Sequence, residues 1–155
     1  MKPILAILLL LVFAVSGMSQ APHGTFKFET KQKGHKALII FRTGAFEPRK
    51  HRIAKDRSYQ PRVDGRLAHG TDGNVPKREI REMKLWIDGR PIAIPRHIYS
   101  DCFEPNLDQA SVKVRFVNNF QSVIVSMSGS DGAGGYHVIW RLRKTGKHSR
   151  SISTS

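Results

Sequence analysis

Cysteine is nearly absent from this chain, because Cys102 is the one cysteine among 155 residues. An intramolecular disulfide and a cysteine-based zinc finger each need at least two sulfur atoms from one chain, so both are excluded. Proline is not enriched, with 8 residues, while 39% of the residues are hydrophobic. This composition is too apolar for a fully disordered chain and too poor in proline for a fibrous one. The length then predicts one globular domain.

Acidic residues are the second shortage. The chain has 12 Asp and Glu against 26 Lys and Arg, which gives a formal net charge of +14 with histidine neutral. Between Lys27 and Arg66 there are 12 Lys and Arg and only 4 Asp and Glu, and no acid follows Asp131. A positive charge of this size raises the local concentration of polyanions. The sequence therefore predicts an anionic partner, and the alternative is that the charges form a solvated surface that only keeps the protein soluble.

Long hydrophobic runs are missing except near the N-terminus. Ile4–Val15 is an uninterrupted apolar run of 12 residues, preceded by Lys2 and followed by a segment of small residues, 16–19. These are the parts of a secretory signal peptide, so we predict a cleaved signal over residues 1–19. The alternative is an uncleaved anchor, but 12 residues fall short of the about 17–25 needed to cross a bilayer. We expect a periplasmic or extracellular protein with no transmembrane span after the leader is removed.

Short alternating segments dominate the rest of the chain. Alternation of apolar and polar residues with period two is typical of strands that bury one face. About seven such strands predict an all-β, mainly antiparallel fold, either a small β-sandwich or an open barrel. We expect a single β-rich domain over residues 20–143 and a mobile, serine-rich tail over residues 144–155. The clearest segments begin near Phe26, Met83, Val112, Val123 and Tyr136.

The segment 78–88 fits two interpretations. Ile80, Met83 and Ile87 have a spacing that a helix would also place on one face. However, Asp88-Gly89 is a dipeptide that type I′ hairpin turns favour, and alternation continues over residues 92–94. The hairpin is therefore the favoured interpretation.

Between Gly44 and Pro76 the alternation disappears among Pro, Gly, Arg and Lys. So long a connection is unusual inside a compact domain, and such segments are commonly functional or mobile. We predict a long basic connection over residues 44–76, with room for one short helix, that binds a polyanion. Its partner could be lipopolysaccharide, acidic polysaccharide or extracellular DNA, without sequence-specific nucleic-acid recognition. The predicted polyanion-binding residues are Arg49, Lys50, Arg52, Lys55, Arg57 and Arg62.

Catalytic motifs are weak. His97, Asp101 and Cys102 form a local group that could supply a nucleophile and its base, so a small exported hydrolase is the alternative function. Against it, Cys102 lies between Tyr99 and Phe103 and has the surroundings of a buried apolar residue. No metalloprotease or serine-hydrolase spacing is present, which predicts no metal and no cofactor. The favoured interpretation is a non-enzymatic protein.

Two segments resemble those of small exported bacterial β-rich proteins of unknown function. The first is Ile87–Pro95, with the sequence IDGRPIAIP, and the second is Gly129–Tyr136, with the sequence GSDGAGGY. The resemblance implies export and a β fold. It implies no catalytic residue, because that group has no assigned activity.

Overall fold

The alternating segments form strands in the structure, a computed structural model that describes residues 23–55 and 59–154. Every pairing between strands is antiparallel, which confirms the predicted all-β, antiparallel fold class. Two short 3₁₀ helices cover Pro48–Lys50 and Arg96–Ile98. The strands are β1 (Gly24–Gln32), β2 (His35–Ala45), β3 (Ile53–Ala54), β4 (Arg62–Val63), β5 (Arg66–Leu67), β6 (Arg78–Ile87), β7 (Arg90–Ile92), β8 (Lys113–Val117), β9 (Ser122–Gly129), β10 (Tyr136–Arg143) and β11 (Ser149–Thr154).

Two four-stranded sheets share one hydrophobic core. The first sheet has the order β1-β2-β6-β7 and the second the order β11-β10-β9-β8, and neither closes into a barrel. Their inner faces meet through large side chains such as Phe41 and Leu85 from the first sheet and Trp140 from the second. Each such side chain contributes about 1.5–3 kcal/mol when it is fully buried. The indole of Trp140 also donates a hydrogen bond to the Ile98 carbonyl at 2.9 Å, so its polar atom is satisfied.

A second, smaller core holds the segment between β2 and β6. The short strands β3, β4 and β5 form a three-stranded sheet in this segment. Phe46, Val63, Ala68 and Phe103 are buried together beneath it, with Ile53 half-buried against them. The predicted basic connection is therefore an anchored structure that includes a short helical turn.

The hairpin prediction for residues 78–88 is confirmed. β6 and β7 pair through Leu85 and Ile92, and the turn between them contains Asp88 and Gly89. Both turn residues have positive φ angles, +52° and +77°, as a type I′ turn requires.

The C-terminal segment differs from the predicted mobile tail. Residues 149–154 form β11, whose backbone pairs with β10 along its full length. Ile152 packs against the main core, and Arg150 reaches the buried Asp101. The tail prediction is wrong for these residues, because a serine-rich segment with a period-two pattern can pair with the edge of a neighbouring strand.

Two other predictions concern residues that the structure does not describe. The signal peptide over residues 1–19 and the side chain of Arg57 lie outside the described ranges. Within those ranges, no helix has the length and apolar character needed to cross a membrane. Export stays a prediction.

Candidate functional site

The described members of the predicted polyanion-binding set lie on or beside the small sheet and on the helical turn before it. Arg62 pairs with Ala54 of β3, so it lies beside the strand that Arg52 and Lys55 flank in sequence. All the described members of the set are exposed to solvent. They are Arg49, Lys50, Arg52, Lys55 and Arg62.

A tight turn at Asp64 and Gly65 fixes this segment. The two residues have φ angles of +52° and +80°, the combination of a type I′ turn. The Asp64 carboxylate accepts a hydrogen bond from the backbone N–H of Arg52 at 2.9 Å and lies 2.8 Å from Nδ1 of His51. These bonds, first the one with His51, lower the pKa of Asp64. The ionised carboxylate therefore ties the entry to β3 onto the turn between β4 and β5.

The same local structure occurs again at the edge of the first sheet. Asp88 accepts a hydrogen bond from the backbone N–H of Lys36 and lies 3.0 Å from Nδ1 of His35. In both copies the histidine stacks on a phenylalanine ring, with centroids 4.2 Å and 4.6 Å apart. The bonds, chiefly the one from the Lys36 backbone, lower the pKa of Asp88. The dipeptide Asp88-Gly89 predicts its own turn, but no sequence pattern predicts the histidines that dock onto the two turns.

Carboxylates neutralise only part of the charge on the basic segment. Nζ of Lys50 lies 2.8 Å from Glu47, which also contacts Arg81 at 3.0 Å. The side chains of Arg49, Arg52 and Lys55 make no ion pair with any residue of the described ranges. Exposed cations of this kind can release counterions when a polyanion binds.

Cys102 and His97 do not have the relation of a nucleophile and its base. The thiol is in a residue only 1% exposed, and burial raises its pKa far above the ordinary value. The His97 side chain is exposed and makes no hydrogen bond to Cys102 in the described structure. A nucleophilic cysteine needs a lowered pKa and a nearby base. Cys102 instead has the buried setting that its apolar neighbours predict.

Asp101, the third member of that group, is held by two arginines. Nη2 of Arg66 donates to its carboxylate at 2.7 Å, and Arg150 donates to both carboxylate oxygens, with one distance of 2.6 Å. Asp101 is 5% exposed, so this is a buried, charge-assisted cluster. The cluster connects β5, which contains Arg66, and β11, which contains Arg150, to the loop after β7, which contains Asp101. The Asp101 carboxylate therefore has a structural role, in which both of its oxygens bind arginines.

His69 is the histidine whose backbone forms a bridge with Cys102. Its Nδ1 is buried without a hydrogen-bond partner in the described structure, and burial lowers its pKa, which favours the neutral imidazole. Sequence reasoning did not group His69 with Cys102, because they are distant in sequence and no motif links them. The imidazole and thiol make no hydrogen bond to each other in the described residues.

The glycine-rich segment Gly129–Gly135 connects β9 to β10 and packs on the loop that contains Asp72. The Asp72 carboxylate accepts hydrogen bonds from the Gly134 N–H and, at 3.3 Å, from the Ser130 hydroxyl. A Cβ atom at Gly134 would lie 2.6 Å from Oδ1 of Asp72, so only glycine permits this approach. The backbone N–H that a phosphate loop would offer to a ligand here binds a carboxylate of the chain itself.

A groove of about 540 Å³ lies beside this loop and contains three acidic residues. Asp72 accepts hydrogen bonds from Gly134 and Ser130. Glu104 accepts hydrogen bonds from the backbone N–H groups of Lys77 and Arg78. Asp131 accepts a hydrogen bond from the Asn106 side-chain amide at 2.9 Å. In the part of the chain that the structure describes, no group of three His, Cys, Asp or Glu could hold a metal ion. These acids close loops against one another.

Comparison with known proteins finds no matching family model, curated protein or solved structure. The resemblance to exported β-rich proteins therefore stays a prediction, and function is inferred from the chain's own charges and contacts.

Proposed function

We propose that this chain is a non-enzymatic, exported β domain that associates with anionic polymers of a cell envelope or its surroundings. The observation that carries the proposal is the group of exposed cations without ion-pair partners in the described structure, Arg49, Arg52 and Lys55. They are attached to a segment that the second core and the Asp64 turn hold in place. A preordered segment loses less conformational entropy on binding than a mobile loop does.

The chemistry of such binding is counterion release. Each cation that contacts a polymer charge frees a condensed ion, so affinity falls as salt concentration rises. Long, flexible cations also tolerate many spacings of negative charge, which makes recognition largely independent of monomer sequence. We therefore expect salt-sensitive binding to several polyanions.

The hydrolase alternative has less support. Its nucleophile would be Cys102, whose thiol is buried and has a raised pKa, and its acid Asp101 is occupied by two arginines. Replacing Cys102 by Ser should leave polymer binding unchanged. Hydrolytic activity that the native chain has and this variant loses would favour the alternative.

The direct test is a quadruple variant of the basic segment, Arg49→Gln, Lys50→Gln, Arg52→Gln and Lys55→Gln. On immobilised heparin, it should elute at a clearly lower salt concentration than the parent, because four exposed charges are removed. Its far-UV circular dichroism should match that of the parent.

A matched control removes four cations that already contact carboxylates, through Lys31→Gln, Lys36→Gln, Arg42→Gln and Lys84→Gln. It should change the elution salt less than the first variant does. Equal elution of the quadruple variant and the parent on every polyanion would overturn the assignment of binding to the basic segment. An equal shift of both variants, also seen on a sulfonate exchanger, would show generic charge alone.

A further inference from the structure

The outward face of the second sheet carries cations and hydroxyl groups without a single carboxylate. Strands β8 to β11 contain no Asp or Glu at any position. Alternate residues of these strands enter the main core, so the intervening residues point away from it. We name this surface the Arg–Ser face. Its residues are Lys113, Arg115, Ile124, Ser126, Ser128, His137, Ile139, Arg141, Ser149, Ser151 and Ser153.

One row across this face places one arginine on each side of an isoleucine. The strand register pairs Arg115 with Ile124, Ile124 with Arg141, and Arg141 with Ser149. Ile124 is only 6% exposed although it does not belong to the core cluster. Its cross-strand neighbours on both sides are arginines. Arginine stems commonly cover apolar surface while the guanidinium stays in water.

The two guanidinium groups are available to a ligand. Neither Arg115 nor Arg141 makes an ion pair or a side-chain hydrogen bond with any residue in the described ranges. Their strands are separated by β9, which puts the two backbones about 9–10 Å apart. The row therefore presents two planar, bidentate donors in a fixed frame.

The next row adds neutral groups to the cations. Lys113, Ser126, Ile139 and Ser151 lie side by side, and the Ile139 side chain is 38% exposed. Serine hydroxyls both donate and accept hydrogen bonds, as the hydroxyls of a sugar do. An exposed aliphatic group between them offers an apolar contact for the C–H surface of a sugar ring.

We infer that the Arg–Ser face binds an acidic polysaccharide, with Arg115 and Arg141 gripping its carboxylate or sulfate groups. The planar guanidinium group can form two parallel hydrogen bonds with each of these anions. The serine hydroxyls of the face can hydrogen-bond to the sugar hydroxyls that lie between the anionic groups. Binding of single-stranded nucleic acid normally uses aromatic stacking platforms, whereas the one ring on this face belongs to His137. The inference deepens the proposed function by naming the polymer class, and it uses residues outside the basic segment.

The test is the double variant Arg115→Gln and Arg141→Gln, titrated with polygalacturonate and heparin oligosaccharides and with a single-stranded DNA of equal charge. We expect about ten-fold or greater loss of affinity for the acidic oligosaccharides, because two charged hydrogen-bond donors are removed. The matched control, Arg42→Gln and Arg90→Gln, removes two exposed arginines from the first sheet. It should change the affinity about two-fold or less.

Two further measurements guard against a folding artefact. The variant Arg115→Lys and Arg141→Lys keeps the charge and loses the planar fork, so it should bind the oligosaccharides more weakly than the parent. In the parent, oligosaccharide should shift the amide NMR signals of Ser126 and Ser151.

Unchanged affinity in the folded double variant, or greater loss for DNA than for the oligosaccharides, would overturn the inference. NMR shifts confined to the basic segment would overturn it as well and would leave the proposed function standing. Conversely, loss in the double variant together with no effect of the quadruple variant would reject the basic segment and retain the Arg–Ser face.

Discussion

The outward faces of the two four-stranded sheets both carry cations, yet only one of them is neutralised. On the first sheet, Glu29 contacts two lysines at 3.2 Å and 2.7 Å, while Glu82 contacts Arg42 at 3.4 Å and Lys84 at 2.8 Å. On the Arg–Ser face, no strand position supplies a carboxylate for this role. The net charge of the chain therefore says little about where a polyanion can bind.

This difference also separates two uses of acidic residues. Exposed ion pairs such as those on the first sheet contribute about 0–1 kcal/mol to stability. Their larger effect is to lower the positive potential of the surface on which they lie. The chain has few acids, and among the described residues it buries two of them, Glu79 and Asp101, where their effect is on stability.

The largest expected effect comes from Asp101→Asn, because Asp101 binds Arg150 of β11, one of the strands that form the Arg–Ser face. The change leaves the half-buried charges of Arg66 and Arg150 without their carboxylate, so we expect a loss of about 3 kcal/mol in the free energy of unfolding. Urea denaturation measures this, and hydrogen exchange should rise in β11. Asp131→Asn, an exposed control, should cost less than about 1 kcal/mol. Equal losses in the two variants would contradict the structural role of the cluster.

A smaller effect should follow from Ser126→Glu, which places a carboxylate on the Arg–Ser face. Residue 126 lies opposite Lys113 on one side and Ile139 on the other, one row from Arg115 and Arg141. The new charge should therefore imitate the first sheet and lower the salt concentration at which the chain elutes from heparin. Ser126→Gln is the matched control for size. If both variants elute with the parent, the face takes no part in the attraction.

The smallest expected effect is the pH dependence given by Asp88→Asn, at a turn beside the neutralised sheet. Because the folded chain has a lowered Asp88 pKa, the ionised carboxylate stabilises the fold above its ordinary pKa of 3.8. That contribution is lost as pH falls from 3.8 toward the folded pKa. The parent should therefore exceed the variant in free energy of unfolding at pH 7, and the difference should shrink below about pH 4. Urea denaturation at pH 7, 4 and 3 measures it, and a constant difference would be inconsistent with the Asp88 contacts.

Local pattern was sufficient to predict most of the strands. Alternation predicted the strands that contain Phe26, Val123 and Tyr136, and the Asp88-Gly89 dipeptide predicted the turn after β6. β11 was missed because its only large hydrophobic residue is Ile152, and small polar residues dominate a composition count. Whether such a segment forms a strand depends on a pairing partner, which the local sequence does not contain.

The surface of the second sheet was beyond sequence reasoning for a related reason. Arg115 and Arg141 come from different strands, and they become neighbours only through the register with Ile124. The counts of cations and acids were correct, but they could not show which cations meet a carboxylate. Likewise, His97 and Cys102 are close in sequence, but the cysteine is buried and the histidine is exposed, which the local sequence does not show.

The Asp101 cluster has a consequence for how the chain reaches its structure. Asp101 contacts Arg66, 35 residues earlier, and Arg150, 49 residues later, so both contacts close long loops. Folds rich in such nonlocal contacts typically reach the native state in milliseconds to seconds, because loop entropy is lost before the contacts form. We expect β11 to dock late, after both sheets have begun to form. Until that moment β10 is an open edge, and unpaired edges of this kind favour association between partly folded chains.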